Sequence, residues 1–432
     1  MPRTLSDWFP NATTVAHFDP RSQTIHLNYI RSADLLADLE AGRISSARSA
    51  VGTIFHELTH WADIVGTVWG RRYLQTLYRA YTVLPDIDRP GFERDFNVFM
   101  DLHDRTRRIM HSEYFRVVDP GARPQPIGDP WTFEISCGQE FDTDGRPGAS
   151  RPILFVRFDN QATGRRVARQ PITAGALLET TAMHSEIETQ GEFISSIPDI
   201  MERRMEAALY KREFETPIYH PALTLYTAPV HILAHRTRLT DPVEAYEWAA
   251  RAAFVALNMQ LYHFAMLRFP TWASVWKERF NGFRSSADPG TAYVMICESG
   301  GPRRGEESIR AWLDRALKGL GLPSERRILA DAQLLLNSEA SSTVSMPLFA
   351  GYEYQKQLGN RLTKMRRNHG PALTLGRAQS NDLTLLPLFD CDAALLEFSP
   401  ARFDTRQFDP RVAHDAEGTL HTWMENFRSA CR

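Results

Sequence analysis

Residues 53–65 restrict this chain more than any other stretch: Thr53-Ile54-Phe55-His56-Glu57-Leu58-Thr59-His60-Trp61-Ala62-Asp63-Ile64-Val65. The apolar positions recur at helical spacing, so the segment is expected to be a helix. With His56 as origin, His60 falls at roughly 40° and Asp63 at roughly −20° around that helix. Val51, Ile54, Leu58, Trp61 and Val65 gather on the opposite side, at roughly 140–220°. Further layers must cover this apolar back, and the front of two imidazoles and a carboxylate needs a polar partner. Histidines at i and i+4 lie one turn apart on one face, so both can reach a single ion with bonds of about 2.0–2.1 Å. Glu57 sits about 100° further round, where it can flank the ion and act on a bound water without ligating. An ordinary amphipathic helix with two incidental histidines would leave Glu57 and Asp63 beside them unexplained.

The rest of the composition sets bounds. A chain of 432 residues, 43% hydrophobic and 24% charged, has room for two or three domains with large cores. The formal net charge of −2 gives no overall bias toward nucleic acid or an anionic membrane. The short pairs Arg107-Arg108, Arg203-Arg204 and Arg366-Arg367 read as solvated helix faces. No apolar run has the length of a signal peptide at the start or of a membrane span later. Cys137, Cys297, Cys391 and Cys431 lie far apart, which argues against a cysteine-based zinc site or a dense disulfide framework. A cytoplasmic setting is the simplest expectation, with export by a route that needs no cleavable signal left open.

An α+β fold is expected. Residues 15–30 read as a short β region with a turn at Asp19-Pro20, followed by a helix from about Ala33 to Glu40. Ser45 or Ser46 is the expected N-cap of the His-Glu helix. Helical patterns cover roughly 70–83 and 91–115, then a Pro- and Gly-rich loop spans 118–130. Trp131 to Cys137 and Ile153 to Phe158 suggest a β-hairpin around a turn-rich stretch at 142–148. Its aspartates lack the spacing of a calcium loop and read as turn chemistry. Thr173 is the expected N-cap of a helix from Ala174 to about Phe193. Asp241-Pro242-Val243-Glu244 carries the signals of another helix start, and that helix is expected to reach Leu267. Further helices are expected at 305–319, 323–337, 350–368 and 418–430. Trp248, Phe254, Leu257, Tyr262 and Phe264 are better read as packing than as a ligand stripe. No repeat or low-complexity tract is evident.

On the residues His56-Glu57-Leu58-Thr59-His60-Trp61-Ala62-Asp63 the chain resembles the HExxH zincin metallopeptidases, and within them the gluzincin type. The resemblance covers about residues 15–195. It implies a zincin-like N-terminal domain of a small sheet plus active-site helices over residues 1–200, with an insertion around 70–170. A mostly α-helical region of unknown role would follow over 201–432. It implies Zn2+ as cofactor, held by His56, His60 and a glutamate from a later helix. The strand Thr24 to Tyr29 is similar to the edge strand that borders the substrate cleft in zincins. The residues after His60 contain no histidine where a metzincin needs one, and no cysteine precedes His60 as a deformylase would require.

Glu179 is the leading third ligand, an acid in an apolar and small-residue helix with Ala182 one turn on. Glu186 can replace it or orient one of the histidines, and Asp63 can ligate or accept a hydrogen bond from a ligand imidazole. Glu93 and Glu113 are further acids that remain open. Tyr226, His231, His235 and His184 are candidate donors to the oxyanion of an acyl substrate. The expected function is zinc-dependent hydrolysis, chiefly of a peptide amide, with Glu57 as general base and a protein or peptide as substrate. A zincin-like sensor with little hydrolysis is one alternative. A helical interaction protein with a fortuitous motif is the other. Oligomeric state cannot be read from the sequence.

Overall fold

The computed structural model describes residues 15–83, 116–125, 131–141, 147–339 and 347–416, with a few further positions at 98–106 and 418–422. The expected helices at 91–115 and 418–430 and the turn at 142–148 fall wholly or largely outside them, as do Glu93, Glu113 and Cys431. The fold is α+β, and the described residues form many helices and two four-stranded sheets.

The first sheet begins with β1 (Ala16–Asp19) and β2 (Thr24–Leu27), antiparallel, Ala16 opposite Leu27 and Asp19 opposite Thr24. The Asp19 carboxylate accepts the Arg21 backbone N–H at 2.8 Å and closes the turn. Ile25 and Leu27 are fully buried while His26 points to the other face, the alternation of a strand covered on one side. β7 (Leu388–Phe389) joins β2 in parallel and β8 (Leu395–Leu396) completes the sheet. Among the described residues β1 is therefore an edge, and β2, expected there, lies inside between β1 and β7. A backbone edge is set by which strands arrive, and β7 comes from the far end of the chain.

Helix α1 (Ser32–Glu40) leads to α2 (Ile44–Gly66), which carries the His-Glu motif, and α3 (Val68–Val83) turns back against it. The α2 N-cap is Arg43, without a side-chain cap. Ser45 and Ser46, the expected caps, lie inside the first turn and bond Glu206 and Asp38 instead. The second sheet has the order β3-β6-β5-β4, from β3 (Val117–Val118), β4 (Trp131–Phe141), β5 (Pro147–Asn160) and β6 (Arg166–Pro171). β4 and β5 form the expected hairpin, and its strands run further than the sequence suggested. Helix α4 (Ala174–Ser196) follows with Thr173 at its N-cap.

Then come α5 (Ile200–Glu215), α6 (Thr224–Thr237), α7 (Pro242–Leu257) and the short α8 (Leu261–Met266). The single helix expected to reach Leu267 is thus two, broken after Leu257, where Asn258 leaves helical geometry. Trp248, Phe254, Leu257 and Phe264 are buried as expected, but Tyr262 is 42% exposed. Four longer helices follow: α10 (Pro289–Gly300), α11 (Ile309–Gly319), α12 (Glu325–Ser338) and α13 (Pro347–His369), with α9 (Phe280–Ser286) preceding them.

Apolar packing follows a different division from the one drawn at residue 200. One core joins β5 and β6 (Leu154, Val156, Phe158, Val167) to α4, α6, α7, α10 and α11. The hairpin is part of this core and does not hang off it. The other core joins α2 and α3 to residues 352–413, including Leu358, Leu362, Leu386 and Leu388. Among the described residues, no helix is long and apolar enough to cross a membrane.

Candidate metal centre

Helices α2 and α4 lie side by side and antiparallel. His60 meets Glu179 and His56 meets Glu186 across the seam, and Asp63 meets Thr181 one turn beyond. α4 is rich in small buried residues, among them Ala174, Gly175, Ala176, Thr180, Thr181, Ala182 and Ser185. Val51, Ile54, Leu58, Trp61 and Val65, the apolar back of α2, are fully buried.

At the front, one ligand atom from each of His56, His60 and Glu179 lies within 4.8 Å of the others, forming a buried group able to hold a metal ion. Nε2 of His56 is 3.2 Å and Nε2 of His60 3.4 Å from the same oxygen, Oε2 of Glu179. Tetrahedral bonds of about 2.0–2.1 Å place neighbouring donors about 3.3–3.4 Å apart. The two nitrogen–oxygen spacings and the two-nitrogen, one-oxygen donor set therefore suit such an ion. The imidazoles stand edge to face, with centroids 4.9 Å apart.

The electrostatics are those of cationic and anionic groups forced together. Burial alone would raise the Glu179 pKa, but the charge of His60 and hydrogen bonds from both histidines hold it down at about 2. Burial would lower His56, yet hydrogen bonds to Glu179 and Glu186 and the charge of Glu57 carry it well above the ordinary value. Glu57 is itself raised, chiefly by burial, against the pull of His56 and His60. Its carboxylate also accepts a backbone hydrogen bond from Phe18 on β1. The edge strand of the first sheet thus lies directly against the acid of the motif.

Glu186 accepts from Nδ1 of His56 at 3.1 Å. This is the orienting role weighed for it, since a proton on Nδ1 leaves the Nε2 lone pair for a metal. Asp63 does neither thing expected of it. Its Oδ1 accepts from Arg366 Nη1 at 2.6 Å and its Oδ2 from Thr181 Oγ1 at 2.5 Å, with Asp63 and Arg366 both fully enclosed. Arg366, read from sequence as half of a solvated pair, is a buried countercharge, while Arg367 is exposed. Gly359 on α13 permits this, because a Cβ there would strike the Val65 carbonyl of α2.

Of the four candidate donors, Tyr226 is at the site, its ring 6.2 Å from that of His56. His231 sits among Trp131, Phe158 and Tyr219 with Nε2 on the Ile218 carbonyl, and His235 packs on Phe133. His184 is buried, its pKa lowered to about 3 by burial and by Arg377 and Arg366. None of these three reaches the metal group in this arrangement. The sequence reading missed Arg366 and the Phe18 N–H. A buried cation for Asp63 could have been sought among the arginines, but a main-chain donor leaves no trace in residue identity.

No protein-family model, no curated protein and no solved structure matches the chain.

Proposed function

We propose that this chain is a zinc-dependent hydrolase of the zincin type, cleaving peptide amide bonds, with His56, His60 and Glu179 as metal ligands and Glu57 as general base. The observation that carries the reading is the convergence of these three donors beside an acid that ligates nothing. Two imidazoles and one carboxylate are the ligand set of hydrolytic zinc, with the remaining coordination position left to water and substrate. A bound zinc ion supplies Lewis acidity, lowering the pKa of its water toward about 7 and polarising the scissile carbonyl.

The chain's own residues do the rest. Glu186 fixes the tautomer of His56. Glu57, raised by burial and steadied by Phe18, takes a proton from the attacking water and returns it to the leaving amine. Tyr226, whose ring lies 6.2 Å from that of His56, is the nearest of the candidate donors for the oxyanion. Metal analysis of the purified protein should give one zinc per chain, and a peptide library should be cut. Glu57→Gln should keep the zinc and lose turnover by at least about 10²–10⁴-fold. A Glu57→Gln protein as active as wild type sinks the mechanism, and zinc without cleavage of any peptide favours a sensor.

A further inference from the structure

We infer that Gln190 and Arg48 are positioning residues for the metal centre, acting through Glu186 on His56, and that Gly52 exists to make room for them. The inference rests on the metal reading above. It starts from a polar chain that continues past Glu186, away from the ligands. The Gln190 amide Nε2 donates to Oε1 of Glu186 at 3.0 Å, leaving Oε2 of Glu186 for His56. The other end of that amide, Oε1, accepts from Arg48 Nη1 at 2.5 Å. Arg48 is 2% exposed, reaches Glu213 at 2.9 Å through its other terminal nitrogen, and lies over the Tyr210 ring at 5.0 Å.

The order of donors and acceptors gives this chain a direction. A guanidinium only donates, so whichever end of the Gln190 amide faces Arg48 must be its oxygen. The NH2 end is thereby turned to Glu186, and one carboxylate oxygen is occupied. The other oxygen accepts from His56 Nδ1–H, so Nε2, which faces Glu179, is the nitrogen that an ion would take in exchange for its proton. A fixed cation two turns before His56 on the same helix thus sets which nitrogen of His56 faces the ion.

Gly52 adds an independent observation. It lies inside α2, where glycine is disfavoured by about 1 kcal/mol relative to alanine. A Cβ at this position would stand 2.8 Å from both Cγ and Nε2 of Gln190. The side chain of Gln190 therefore lies across α2 at Gly52, where α2 has no side chain to obstruct it. Alanine would raise helix propensity and push the amide off its line between Arg48 and Glu186.

The test measures the zinc dissociation constant of the full-length chain by competition with a chromophoric chelator, and the d–d spectrum of the cobalt-substituted protein. Wild type is compared with Gln190→Met, which keeps volume and loses both hydrogen bonds, with Gly52→Ala, and with the double variant. Gln190→Met and Gly52→Ala should each weaken zinc about tenfold and shift the cobalt spectrum. The double variant should bind no more weakly than Gln190→Met alone, because Gly52 acts only through Gln190. Thermal unfolding of each metal-free variant separates altered binding from failure to fold, and a purely structural role would lower the midpoint while leaving the affinity of folded protein alone. Gln190→Met that binds zinc within twofold of wild type, with an unchanged cobalt spectrum, overturns the inference. Additive losses in the double variant overturn the role of Gly52. A wild-type chain that takes up no zinc overturns the metal reading, and this inference with it.

Discussion

Glu179 and Asp63 are carboxylates enclosed by the same two helices, one turn apart along the seam, and they meet different cations. Glu179 faces two imidazoles and keeps 18% of its side chain exposed. Asp63 faces the Arg366 guanidinium and the Thr181 hydroxyl, and neither Asp63 nor Arg366 has any exposure. An ion that comes and goes needs a route to water and donors that can be shared. A countercharge that never leaves needs neither, and full enclosure makes it costly to disturb. Glu179 belongs to a group able to hold a metal ion and Asp63 to a fixed ion pair, although the two residues look alike in sequence. Helix α13, distant in the chain, braces the helix that carries His56, Glu57 and His60.

The most forceful way to break this comparison is Arg366→Met. Leaving Asp63 as an uncompensated buried charge should destabilise the chain by about 3–5 kcal/mol, read by denaturant unfolding, while the folded fraction keeps its zinc. A loss under about 1 kcal/mol, typical of exposed pairs, would make Asp63 no different from a surface acid. Glu179→Gln should differ in its effect on the metal. Zinc affinity should fall by at least about 100-fold, about 2.7 kcal/mol, since even partners that only orient ligands are worth 10–100-fold. Metal-free stability should fall as well, because Gln cannot replace the carboxylate that accepts from both His56 and His60. Unaltered zinc binding in that variant would transfer the ligand role to another acid.

A smaller effect concerns His184, which lies on α4 within the field of Arg366. Its folded pKa, about 3, is below the ordinary 6.5, through burial first and the charges of Arg377 and Arg366 second. The unfolded chain therefore takes up the proton first as pH falls, so this contribution is intact above pH 6.5 and is lost progressively toward pH 3. Unfolding free energies at pH 7 and pH 5 should differ less for His184→Gln than for wild type. An equal difference in the two proteins would show that His184 does not carry that loss.

Much of the site was legible because it is local. His56, Glu57 and His60 are placed by the helix period alone, and the apolar back at Val51, Ile54, Leu58, Trp61 and Val65 follows from the same arithmetic. Glu179 was legible because an acid amid small and apolar residues needs a partner. The strands at 16–27 and 131–160 and most helices could be read from alternation, period and caps. Boundaries were missed where tertiary contacts overruled a local signal. Ser45 and Ser46 gave up capping for Glu206 and Asp38, and the helix after Asp241 stopped at Leu257.

The sequence by itself determined that a helix would present two imidazoles and a flanking acid on one face, since covalent spacing and helical pitch fix that geometry wherever the helix sits. Only the tertiary structure decided what that face would meet. Glu179, Glu186, Phe18 and Arg366 come to it from 38 to 303 residues away, counted from the nearest of His56, Glu57, His60 and Asp63. Asp63 shows the reason most plainly. Its position on the helix was known in advance, but its role depends on which charge approaches it, and that was settled by packing two cores whose members are far apart in the chain.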